Sequence, residues 1–119
     1  MAFDLYLVER VEQAFHSKNI SFKEKKMMGS LIFMVNDKMC VGVNRNKKTN
    51  EDRLMIRLGI DKYQPALNLK GCREMDFTGK PTKGFVFVYP EGFDADDDLM
   101  FWVAKAIVFN KELQKKNNG

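Results

Sequence analysis

The chain has 119 residues, 45% hydrophobic and 30% charged, with a net charge of +4; that balance suits one globular domain spanning residues 1–119 and excludes a fibrous or disordered chain. The start, Met1-Ala2-Phe3-Asp4, has neither a basic nor an apolar leader region, and no apolar run approaches the ~18 residues of a membrane helix. A cytoplasmic protein without a membrane span is therefore expected.

Over residues 4–17, Leu7, Val8, Val11, Ala14 and Phe15 recur at helical spacing and predict an amphipathic helix. Residues 25–36 turn to large apolar and β-branched types interrupted by Gly29, which predicts one strand with a bulge or bend at the glycine. Asn36-Asp37 suits a tight hairpin turn, and residues 38–43 read as the returning strand. The stretch 44–52, NRNKKTNED, has no apolar residue and reads as a solvated loop. Leu54, Ile56 and Leu58 then alternate with Arg53, Met55 and Arg57, the period of a half-buried strand.

Residues 59–69 predict a short helix, with Asp61 as a candidate N-cap and Pro65 limiting its start. Residues 72–77 and 83–89 read as two strands joined by a hairpin loop at 78–82. Pro90-Glu91-Gly92 closes the sheet, and Asp94 is placed to cap a final helix carrying Asp96, Asp97 and Asp98 in its first turn. Leu99, Trp102, Val103, Ala106, Ile107 and Leu113 mark that helix's buried stripe, and residues 115–119 read as a frayed tail. The expectation is an α+β two-layer sandwich with an antiparallel five-stranded sheet, in the order helix-strand-strand-strand-helix-strand-strand-helix.

Lys25-Lys26-Met27-Met28-Gly29, the run Phe33 to Cys40, Leu54-Met55-Ile56-Arg57-Leu58-Gly59 and the run Met75 to Val86, with Tyr63, Ala66-Leu67 and Pro90-Glu91-Gly92 around them, resemble the amino-terminal domain of the TfoX/Sxy competence-regulator family. The resemblance covers nearly the whole chain. It implies the same five-stranded antiparallel fold, a cytoplasmic bacterial setting and no established catalysis. In the full-length regulators a carboxy-terminal domain follows, and the pair activates DNA-uptake genes. This chain is expected to be a single-domain relative without that second domain.

Chemical constellations are scarce. The loop Thr78-Gly79-Lys80-Pro81-Thr82-Lys83-Gly84 has phosphate-cradling residue types, but a strand rather than a helix follows it, so it is no Walker A loop and hairpin backbone demands account for its glycines. Asp94 to Asp98 lack the central glycine and terminal glutamate of a calcium loop. Glu74 and Asp76 share a strand face without an acid–base partner and are read as pairing with Arg57 or Arg73. Cys40, Cys72 and the single His16 form no metal-ligand spacing, so neither metal nor cofactor is expected, and both thiols are read as reduced and buried.

Lys23, Lys25 and Lys26, then Arg45, Lys47 and Lys48, then Lys80 and Lys83 would make a basic surface if they converged, although no nucleic-acid-binding motif is present. Phe85, Phe87 and Tyr89 suit a core face better than a stacking platform. Lys25, Lys26, Arg57, Lys80, Thr82 and Lys83 are the candidate contact residues, with Arg57, on an outward strand face between apolar neighbours, foremost. A non-enzymatic regulatory module that binds another protein fits best. A nucleic-acid-binding accessory domain is the alternative, a small-molecule enzyme a remote one, and a homodimer is compatible with each.

Overall fold

The computed structural model describes residues 3–76 and 79–118, with side chains of the last helix described as far as Lys115. Helix α1 spans Leu5–Ser17 and starts where expected, because the Asp4 carboxylate accepts from the Tyr6 backbone N–H at 3.0 Å. Its buried residues are the five that its periodicity marks.

Among the described residues the sheet has six strands, not five, and all its pairs are antiparallel. Strands β1 (Lys23–Met27), β2 (Ser30–Val35), β3 (Lys38–Arg45) and β4 (Asp52–Arg57) form a continuous meander. Helix α2 (Ile60–Ala66) follows, then β5 (Cys72–Glu74) and β6 (Phe85–Val88), giving the spatial order β1-β2-β3-β4-β6-β5. The expected single strand over 25–36 is two strands: Met28 and Gly29, with φ of 51° and 81°, make a two-residue turn between them. Glycine's freedom at positive φ serves a hairpin here rather than a bulge. The bulge lies one hairpin later, where the β2–β3 register passes from Phe33↔Val41 to Met34↔Met39 and skips Cys40.

The other differences are local. Asn44, Arg45 and Asp52 are strand residues, so the β3–β4 connection is only 46–51, and it is closed by backbone bonds between Asn46 and both Glu51 and Asn50. Strand β5 ends at Glu74, while Phe77 and Thr78, parts of the expected strand and loop, lie outside the described residues. Asp94 does not cap the final helix. Pro90–Phe93 forms a short helix, α3, and α4 begins at Asp96 and runs to Asn118, its first turn holding the three expected aspartates. Arg10 clamps that junction, donating to the Phe93 and Asp94 carbonyls and pairing with Asp96 at 3.1 Å.

The helices pack on one face of this open sheet. There Phe15 stacks on Phe33 at 5.5 Å between centroids, and the Trp102 indole N–H donates to the Gly92 carbonyl at 3.0 Å. Leu54, Ile56, Val86 and Val88 face the same core, where each buried large side chain contributes about 1.5–3 kcal/mol. Asn110 of α4 is buried and donates to the Val35 carbonyl at 3.0 Å, tying the helix to the β2–β3 turn. Among the described residues no helix is long and apolar enough to cross a membrane.

Candidate functional site

Side chains alternate across a strand, so the opposite sheet face must receive Lys25 and Met27 from β1, Ser30, Ile32 and Met34 from β2, Met39 and Asn44 from β3, Arg53, Met55 and Arg57 from β4, and Phe85 and Phe87 from β6. These residues assemble a second apolar layer. Ile32, Met55, Met75, Phe87 and Tyr89 are buried in it, and Met27, Met34, Met39 and Phe85 pack half-buried around them. Among the described residues no helix residue belongs to this layer, and only at its rim does one approach it, Phe109 of α4 beside Arg57. Gly42 leaves the room for it: a Cβ there would lie 3.0 Å from Ile32 Cδ1 and 3.2 Å from Met55 Cβ.

Polar groups lie across the aromatic rings. The Arg53 guanidinium sits 3.7 Å over the Phe87 centroid, and its Nε and Nη1 donate to Asn44 Oδ1 at 2.6 Å and to the Tyr89 hydroxyl at 3.1 Å. Asn44 donates onward to Ser30 Oγ at 3.0 Å, and Asn46 donates to the Tyr89 hydroxyl at 2.9 Å. Arg73 lies 4.7 Å over the Tyr89 ring and pairs with Glu91, not with Glu74 or Asp76. The network pins one end of the face with two guanidinium groups held flat. Sequence reasoning missed Ser30, Asn44 and Arg53 as a unit. The signal was the alternation that sets Gly42 and Asn44 on one strand face opposite Met55 and Arg53, visible only once the register is known.

Of the sequence-selected residues, Arg57 stands on this face, at its other end. Its guanidinium lies 5.3 Å from the Phe85 centroid and 5.6 Å from that of Phe109, and no carboxylate among the described residues pairs with it. Lys25 is exposed on the same face at the β1 edge, while Lys26 turns to the helix side beside α1. Lys80, Thr82 and Lys83 are exposed in the β5–β6 connection, whose base is closed by the Thr82 N–H on the Met75 carbonyl and the Phe85 N–H on the Thr82 carbonyl. Gly84, at φ 92°, turns its carbonyl to the Leu58 and Gly59 N–H groups, joining the start of β6 to the end of β4.

The basic groups diverge. Strand β1 lies four strand spacings from β6, about 19 Å at ordinary spacing. The loop with Lys47 and Lys48 leaves one end of the sheet and the loop with Lys80 and Lys83 the other, since β3 and β5, which lead into them, run in opposite directions. Phe85, Phe87 and Tyr89 are packed rather than displayed, but on the helix-free layer and not in the helix-covered core.

Burial pushes Cys40 up to about 12, although Arg57 draws it down, and burial pushes Cys72 up to about 11, the reverse of an activated nucleophile. Both are free, and among the described residues no group of three His, Cys, Asp or Glu is placed to hold a metal ion.

The model of the TfoX N-terminal domain matches residues 18–109, from the end of α1 through most of α4. No curated protein matches the chain. The matched span includes every described strand of the sheet and the helix-free apolar layer, and on that match the chain belongs to the TfoX N-terminal domain family.

Proposed function

We propose that the domain is a non-enzymatic regulatory module that binds another protein through the helix-free face of its sheet. The observation that carries this reading is the composition of that face: half-buried Met27, Met34, Met39 and Phe85 around buried Ile32, Met55 and Phe87, bounded by arginines laid on aromatic rings. Methionine adapts to irregular partners, and Met, Arg and aromatic residues are the types enriched at protein interfaces. Arg57 supplies the cation for a partner's carboxylate or backbone carbonyl. A cytoplasmic setting belongs to the same proposal and is supported by the two free thiols. Membership in the TfoX N-terminal domain family supports the regulatory part.

The test compares the wild-type chain with Arg57→Glu and Met39→Glu variants, each immobilised and exposed to nuclease-treated lysate at physiological salt. A protein retained by the wild type and lost by both variants, at unchanged melting temperature, is the expected result. Equal retention by all three, or none by any, would overturn the reading.

A further inference from the structure

Strand β1 is the long edge of the sheet: Lys23 to Lys26 are exposed and it pairs with β2 alone. The opposite edge, β5, has only three residues and is correspondingly protected. In a two-residue hairpin the residues flanking the turn, here Met27 and Ser30, exchange both backbone bonds, and the pattern then alternates. Lys25 and Lys23 therefore bond to β2, while Glu24 and Lys26 turn their N–H and C=O groups outward. Two adjacent outward-facing residues of opposite charge make this edge complementary to itself.

We propose that β1 pairs antiparallel with β1 of a second copy about a two-fold axis through Lys25, setting Glu24 of each chain opposite Lys26 of the other. In that register the outward groups of Glu24 and Lys26 meet in reciprocal pairs and close four backbone hydrogen bonds. Both side chains lie on the helix side of the sheet, in a groove walled by Glu9 and Glu12 of α1 with Val8 and Leu31 at its base. There Glu24 lies beside Glu12, whose carboxyl pushes that of Glu24 up. Lys26 of the other copy brings an ammonium to that pair. On the opposite face Lys23 stands over Met27 of the other copy, where its aliphatic stem covers the half-buried thioether. Lys25 meets Lys25 on the axis, an opposing like-charge contact that keeps the assembly weak and reversible.

The dimer covers Met27 at the rim of the helix-free face but leaves Met34, Met39 and Arg57 clear of the β1 edge, and the partner-binding test reads Met39 and Arg57, so the two readings stand or fall separately. Sedimentation velocity over a concentration series tests the dimer. The wild type is expected to shift from monomer to dimer as concentration rises. Lys26→Glu places glutamate against Glu24 and should lose the dimer at the same loading, whereas the swap Glu24→Lys with Lys26→Glu restores it. Circular dichroism checks that each variant keeps the fold. A wild type that stays monomeric throughout, or a Lys26→Glu variant that dimerises as well as the wild type, would overturn the pairing.

Discussion

The Arg53 guanidinium lies 3.7 Å over the Phe87 ring while donating to Asn44 and to the Tyr89 hydroxyl, so one side chain spans β3, β4, β6 and the residue that follows β6. Lysine at this position keeps the charge but lacks the planar fork, leaving Asn44 and Tyr89 short of a donor. Arg53→Lys is expected to cost about 1–2 kcal/mol, several degrees in melting temperature. Urea denaturation with an unchanged midpoint would show that the network is not a structural element.

Glu24 is pushed from its ordinary 4.5 up to about 7, first by the hydrogen bond shared with Glu12, then by burial and by the Glu12 charge, with Glu9 and Lys26 lining the same groove. A carboxylate with a raised folded value binds its proton more tightly folded than unfolded. Its contribution to stability is full below about 4.5 and is lost as pH rises through 7. The melting temperature of the wild type, measured against Glu24→Gln, should therefore gain on acidification from pH 8 to pH 5, with the gap widest at the alkaline end in favour of the glutamine variant. Parallel curves for the two proteins would refute the raised Glu24 carboxyl.

The Tyr63 hydroxyl is buried without a hydrogen-bond partner among the described residues. Leaving such a group unpaired costs about 1–3 kcal/mol. Tyr63→Phe should be as stable as the wild type or more so by thermal denaturation. A loss beyond about 1 kcal/mol would mean that the hydroxyl has a partner of its own.

The residues that made the fold legible were those with one buried face. Leu7, Val8, Val11, Ala14 and Phe15 marked α1 because a single stripe faces the core. Strand β1 reads as one strand with β2 for the opposite reason: as an exposed edge it carries Lys23-Glu24-Lys25-Lys26 and half-buries only Met27, so no apolar alternation sets it apart. Asn44 was read as loop because polar residues suggest solvent, yet it is buried against Ser30 and Arg53. Arg57 reads as an outward strand residue between apolar neighbours, and its guanidinium lies at the rim of the second layer between Phe85 and Phe109 of α4. The surrounding site was not legible, since it joins residues from five strands through a register that turn geometry and a bulge at Cys40 determine.

The helix-free face carries methionines that can report on it directly. With methyl-¹³C methionine, the resonances of Met27, Met34 and Met39 report on this face, and Met100, packed against the helix-side core, serves as an internal control. On titration with the protein retained in the capture experiment, the first three are expected to shift or broaden while Met100 stays in place. Movement of Met100 with the other three unmoved would contradict binding through this face.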